Sequence, residues 1–305
     1  MTVGTGKFIS KKVSAVRWQP VVDTSQTQSS VLAAGSWDDE ANSLSVWGGA
    51  GPGGEASLMA STHLTGDVTG LEWLGPDTVS LSSSGGEVQV YRVGGLSGLQ
   101  LVQEWPGLHR PGAGGATALT RHGDSLASGG QDGKLNVLVV TSRTPVKVYD
   151  KADSCSITAL TFSKTSELVS SNMRGQIKTW DLRSNSQCPV SNSSQGGAVR
   201  CLAVHPTQSH VMMAGGEDGV LAVWDLRSPT QPATLLSADK AAISEVVFHP
   251  SQPDHVFTCS QGKTVTCHVS QLTLSSWQVV TSVTGTAPEY TGTPRSSHSP
   301  PCPPG

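Results

Sequence analysis

The sequence has 305 residues and a mass of 31.6 kDa, with 36% hydrophobic and only 14% charged residues, 34 Gly and 18 Pro. Few charges with much Gly, Ser and Thr exclude coiled coils and long-helix bundles, which need Ala, Glu, Lys, Leu and Arg at helical spacing, and favour short strands joined by turns. Lys+Arg 20 against Asp+Glu 23 gives a net charge of -3, too little positive field for direct nucleic-acid or anionic-membrane binding, and no apolar run approaches the ~18 residues of a membrane span.

Taken in chain order, Met1 to Lys12 lacks the apolar core of a secretory signal, which predicts a cytoplasmic or nuclear protein. The first predicted strand, Val13 to Trp18, alternates strictly, so successive side chains point to opposite faces. Asp38, Asp39 and Glu40 then form either an acidic docking patch or a solvated hairpin turn before the strand Leu44 to Trp47. Gly48 to Ala56 is richer in Gly than a hairpin needs. Val68 to Trp73 alternates again, Gly85-Gly86 turns the chain, and Val88 to Tyr91 follows. Trp105 to Gly115 is another long connection, where Trp105, Leu108, His109 and Arg110 offer the aromatic and cationic groups that anchor interfaces.

The second half repeats the pattern. Gln131-Asp132-Gly133-Lys134 and Glu217-Asp218-Gly219-Val220 place Asp-Gly between strands, the pair that best takes the positive φ of a type I′ hairpin. Arg174-Gly175 does the same work. Strands are predicted at Leu135 to Leu138, Ile157 to Phe162, Ile177 to Trp180, Ala198 to Val204, Val211 to Gly215, Leu221 to Trp224, Ile243 to Phe248 and Val265 to His268, with Ser184 to Gly197 read as an inserted loop. His205-Pro206 and His249-Pro250 end strands, since Pro cannot donate to a ladder, and their histidines read as half-covered strand ends rather than metal ligands. The six cysteines contain no CxxC pair. They are expected to be small buried hydrophobes, with no metal and no cofactor.

Strand ends at Trp47, Tyr91, Leu138, Trp180, Trp224 and His268 lie roughly 42 to 47 residues apart, against ~40 to 45 for one four-stranded propeller blade. The chain is therefore expected to be all-β, a β-propeller with six recognisable blades plus an incomplete seventh. Trp180-Asp181 and Trp224-Asp225 resemble the dipeptide of WD40 repeats. In that family a strand Trp, a Ser or Thr, a loop His and the hairpin Asp share a buried hydrogen-bonded tetrad. The resemblance assigns structural roles to Trp47, Tyr91, Trp180 and Trp224, to the hairpin Asp132 and Asp218, and to Asp181 and Asp225. The Gly-His pairs expected ahead of first strands are missing, which argues against complete tetrads.

Lys7-Phe8-Ile9-Ser10-Lys11-Lys12-Val13, Arg17-Trp18-Gln19-Pro20 and Gly35-Ser36-Trp37-Asp38-Asp39-Glu40 resemble the forty-three-kilodalton WD40 nucleoporin family of the Y-shaped nuclear pore scaffold. Gly66-Asp67-Val68, Ala152-Asp153-Ser154, Trp224-Asp225-Leu226-Arg227 and Phe248-His249-Pro250-Ser251 continue the match in order, over about residues 7 to 268. That resemblance implies a non-enzymatic scaffold subunit at the nuclear pore, and at kinetochores in mitosis. Its implied partners are other nucleoporins, especially a helical-solenoid subunit, with no homo-oligomer. A competing class is the substrate receptor of a cullin ubiquitin ligase, because Trp180-Asp181-Leu182-Arg183 and Trp224-Asp225-Leu226-Arg227 fit a WDxR pattern. Arg183 and Arg227 would there reach an acidic adaptor, unless each pairs locally with a neighbouring carboxylate.

Six of the eighteen prolines lie beyond Ala287. The propeller is therefore expected over residues 1 to 285, with a disordered Pro/Ser/Thr-rich tail over 286 to 305. The segments Gly6 to Val13 and Ser276 to Val283, the latter alternating at period two, are expected to make a reduced last blade. Enzyme motifs fail on context. Gly262-Lys263-Thr264 lies between strands rather than before a helix, Ser237-Ala238-Asp239-Lys240 lacks companion motifs, and Gly112-Ala113-Gly114-Gly115 has Thr117 where a dinucleotide fingerprint needs Gly.

Overall fold

The computed structural model describes residues 11–20, 31–49, 56–94, 98–110, 115–184, 186–262, 264–273 and 276–286, and every regular element among them is a β-strand. Blade one contains β1 (Val13–Trp18), β2 (Leu32–Ser36), β3 (Asn42–Gly48) and β4 (Ser57–Leu64), and blade two β5 (Val68–Trp73), β6 (Thr78–Ser83), β7 (Val88–Gly94) and β8 (Gly98–Trp105). Blade three is β9 (Ala116–His122), β10 (Ser125–Gly130), β11 (Leu135–Val139) and β12 (Lys147–Tyr149). Blade four is β13 (Ile157–Lys164), β14 (Glu167–Asn172), β15 (Gln176–Asp181) and β16 (Ser191–Ser194). Blade five is β17 (Val199–Val204), β18 (Val211–Gly216), β19 (Val220–Asp225) and β20 (Thr234–Ser237). Blade six is β21 (Ile243–Phe248), β22 (His255–Ser260), β23 (Thr264–Thr273) and β24 (Ser276–Thr286). Each blade is an antiparallel meander in chain order.

The apolar alternation read from the sequence becomes the packing between blades. Ala33, Leu44 and Val46 of blade one meet Val68, Leu71 and Leu81 of blade two in one buried cluster, and Cys201, Met213, Leu221 and Val223 of blade five meet Ile243, Val246 and Phe248 of blade six in another. In each blade the inner strand carries an irregularity near its start, such as Ile157/Ala159 and Val199/Cys201. An extra residue there bends the strand and turns its side chain out of the ladder. Thr158 occupies one such position, and its hydroxyl donates to the Val199 carbonyl of the next blade. The inner strands surround a central cavity of about 930 Å³. Across it Arg17 of β1 pairs with Glu245 of β21 at 2.8 Å and lies 3.9 Å from Glu72 of β5.

Four expectations change. Ser276 to Val283 belongs to a strand, but β24 pairs with β23 over Thr264 to Thr286, which makes it the outer strand of a complete sixth blade. Periodicity predicts a strand without naming its ladder partner. Val13 opens the innermost strand of blade one, and residues 6 to 10 of the proposed closing segment lie outside the described residues. Ser184 to Gly197 is not merely a loop, because Ser191–Ser194 forms the outer strand of blade four against Gln176 to Thr179. Its Ser and Asn content hides it from propensity reasoning, while an edge strand needs only a ladder on one side. Thr286 is still part of β24, and the rest of the expected tail, 287–305, lies outside the described residues.

Candidate protein-interaction surface

A repeated clasp joins each blade to the next. Where the chain leaves a fourth strand, His109, Asp153, Gln195 and Asp239 donate their backbone N–H to the carbonyls of Gly86, Gly133, Gly175 and Gly219, at 3.0, 2.9, 2.9 and 3.1 Å. Each of these glycines stands at positive φ in the hairpin of the blade being left. The side chains of three of these linking residues then reach forward. His109 meets Ser128 Oγ through Nε2 at 2.9 Å and Asp132 Oδ1 through Nδ1 at 3.1 Å, Asp153 accepts from Asn172 Nδ2 and pairs with Lys178 Nζ at 2.8 Å, and Asp239 accepts from Ser260 Oγ at 2.7 Å. With Nδ1–H donated to the carboxylate, Nε2 of His109 is the acceptor of the Ser128 hydroxyl.

This geometry moves two residues off the candidate surface. Trp105 and His109, both read as interface anchors, are each 1% exposed. Trp105 fills the junction of blades two and three with Leu126 and Leu138, and its Nε1 donates to the Ser142 carbonyl at 3.0 Å. The segment reads as an exposed loop because the covering blade is distant in sequence. Arg110 keeps an exposed side chain while its N–H donates to Asp132 Oδ2 at 3.2 Å.

The other candidates stay at the surface. Asp38 pairs with Lys12 and takes a positive φ of 51°, while its N–H donates to Asp67 Oδ1 at 2.9 Å. Asp39 beside it is half-buried and Glu40 exposed, so the acidic run is a hairpin turn tied to the next blade. Arg183 forks onto Asp181 (3.1 Å from Nε and 3.1 Å from Nη2) and Arg227 onto Asp225 (2.9 and 2.6 Å). Both arginines are solvated, and each is committed to the carboxylate two residues earlier. Asp218 does the turn's work, accepting the Val220 N–H at 3.1 Å. The cysteines divide: Cys201 is buried between blades five and six with its thiol pushed up to about 12 by desolvation, whereas Cys188 is exposed, contrary to expectation.

The model of the WD domain, G-beta repeat, matches residues 187–225. This stretch runs from the outer strand of blade four through three strands of blade five, so the sequence repeat is offset from the structural blade. Nucleoporin Nup43 of Mus musculus is 36% identical over 276 residues, covering 84% of this chain and 73% of that protein, and Nucleoporin Nup43 of Homo sapiens is 33% identical over the same spans. The chain belongs to the Nup43 family of WD40 nucleoporins. Nuclear pore complex protein nup43 of Dictyostelium discoideum matches a shorter part, 31% identical over 96 residues.

Against the WD40 tetrad, this Nup43-family propeller is uneven. Blade three holds His109, Ser128 and Asp132 but has Leu138 in place of the Trp, and Asn136 donates to the His109 site at 3.2 Å. Blade four keeps Trp180 donating to Ser170 Oγ at 2.9 Å, with Asp153 in place of the His. In blade five Ala214 occupies the register position of Ser170, and both Trp224 Nε1 and Gln195 Oε1 are buried without a partner. A hydroxyl accepts and donates at once. Ala214→Ser is therefore expected to satisfy both groups and raise stability by about 1 kcal/mol, read as a higher denaturant midpoint at unchanged slope. A lower midpoint would mean the indole and amide do not converge on position 214.

Burial lowers the pKa of His109, against the raising pull of Asp132, and burial lowers that of His205 as well. His205 Nδ1 also accepts the N–H groups of Thr207 and Gln208 at 3.3 and 3.0 Å, which its protonated form cannot do. Burial opposes ionisation of Asp132, yet hydrogen bonds from His109 and the Lys134 N–H hold its pKa below the usual carboxylate range. The unfolded chain thus binds more protons than the native one as pH falls below the ordinary His value of about 6.5. Stability should be fully present above that value and lost as pH falls through the lowered folded values. Thermal midpoints are expected to be level from pH 7 to 8 and to fall below about pH 6; a level profile down to pH 5 would contradict this linkage.

Proposed function

We propose that this chain is a non-enzymatic scaffold subunit of the nuclear pore complex, a propeller docked on a helical-solenoid nucleoporin of the Y-shaped assembly and carried with it to kinetochores in mitosis. The observation that carries the reading is identity to the Nup43 proteins across 84% of the chain, through all the inner strands of the ring. The architecture agrees with such a role. Buried polar groups such as His109, Asp132 and Asp153 are engaged in holding blade to blade, so recognition falls to the rim and loops of a rigid ring.

The ligase-receptor reading gains nothing from Arg183 and Arg227, because each would have to leave its own Asp fork to reach an adaptor. Affinity purification of the 305-residue chain from nuclear extract tests the proposal. Y-complex nucleoporins without a cullin adaptor are expected. Recovery of a cullin adaptor without nucleoporins, or ester or nucleotide turnover that follows the pure protein, would overturn it.

A further inference from the structure

The free face of blade six has the positions of an interface. Register aligns Val247, Phe257 and Val265 of blade six with Ala203, Met213 and Leu221 of blade five. In blade five Met213 and Leu221 are 1% and 0% exposed, because Ile243, Val246, Phe248 and Val256 of blade six cover them. In blade six Val247, Phe257 and Val265 are 47%, 38% and 48% exposed. Three apolar side chains grouped on one sheet face are a different observation from scattered surface hydrophobics. On blade one Val16 and Trp18 alternate with Ala15, which packs toward blade two, and both are exposed. Among the described residues no strand lies between these two sheets, and Arg17 with Glu245 joins them at the inner rim.

We infer that this face is a docking surface for a β-strand pair donated by a neighbouring nucleoporin, whose inner strand carries branched aliphatic and aromatic residues spaced as Ile243, Val246 and Phe248 are. The partner's class rests on the function proposed above. Its shape rests on the molecule itself: blade five shows what covers this set of positions, and the cover is a β-sheet face. This sequence has little to offer the slot. Residues 287–305 hold six prolines, which cannot donate to a ladder, and Tyr290 is their one large apolar side chain. Residues 1–10 amount to one strand at most. A strand pair in trans satisfies its own ladder and brings side chains to both walls.

The test compares the full chain with a Val247→Asp, Phe257→Asp double variant, and places a benzoylphenylalanine photocrosslinker at position 257 of the otherwise unchanged chain. Nucleoporin recovery from nuclear extract is expected to fall on the order of tenfold in the variant, while the thermal midpoint of the purified chain stays within about a degree, since both side chains already meet water. The crosslinker should join an extended nucleoporin segment. Undiminished recovery overturns the inference and leaves the scaffold role standing. So does a crosslink confined to residues 1–10 or 287–305 of the same chain or to a second copy, or a midpoint drop as large as a core variant's. Wild-type protein that recovers no nucleoporin overturns both.

Discussion

Trp224→Ala is expected to destabilise the protein by about 3 to 5 kcal/mol, the range for emptying a buried aromatic site. The indole is 1% exposed and packs with Val169 and Ile177 of blade four and with Val199, Met212 and Ala222 of its own blade, so it fills the seam between two sheets. Trp224 Nε1 has no hydrogen-bond partner, so the loss is one of packing alone. Trp180→Ala removes a comparable volume and also strips Ser170 of its donor, which adds about 1 kcal/mol. Guanidinium unfolding of both variants reads the difference. A Trp224→Ala midpoint equal to wild type would show that the indole does not fill the seam.

Gly219→Ala is expected to cost about 2 to 4 kcal/mol from two sources that can be separated. At φ of 77° a Cβ carries the left-handed penalty of about 1 to 2 kcal/mol. It would also stand 2.1 Å from the carbonyl oxygen of Asp239, at the point where the Gly219 carbonyl receives the N–H groups of Ala238 and Asp239. That backbone cannot move away without releasing the clasp between blades five and six. Gly123 supplies the comparison, since its φ is 57° and a Cβ there meets nothing within 4 Å. Gly123→Ala should cost only the dihedral share. Equal losses for the two variants would remove the clasp from the account.

Much of the ring is legible in the sequence because its signals are local. Strict alternation in Val13 to Trp18 or Ile243 to Phe248 comes from a strand with two differently packed faces, and Asp132-Gly133 and Asp218-Gly219 carry their turn chemistry within two residues. The clasp is not legible. His109, Asp153, Gln195 and Asp239 share no residue type, only a backbone N–H given to a glycine carbonyl some twenty residues earlier. Asp153 reads as part of a family-like tripeptide, and nothing nearby announces Lys178 or Asn172 as its partners. His109 reads as a surface anchor because Leu108-His109-Arg110 looks like an interface and Ser128 lies on another strand.

By itself the sequence determined the all-β class, the spacing of six blades, the strand-ending Trp180 and Trp224, and the kinship with WD40 nucleoporins, since each is written in neighbouring residues or in a period. The tertiary structure alone decided which sheet Ser276–Thr286 joins, which aromatics are covered, and which sheet face stays open. Those outcomes depend on contacts between segments far apart in the chain. Val265 and Leu221 occupy the same register position on similar strands, and only the presence or absence of a following blade makes one of them surface and the other core.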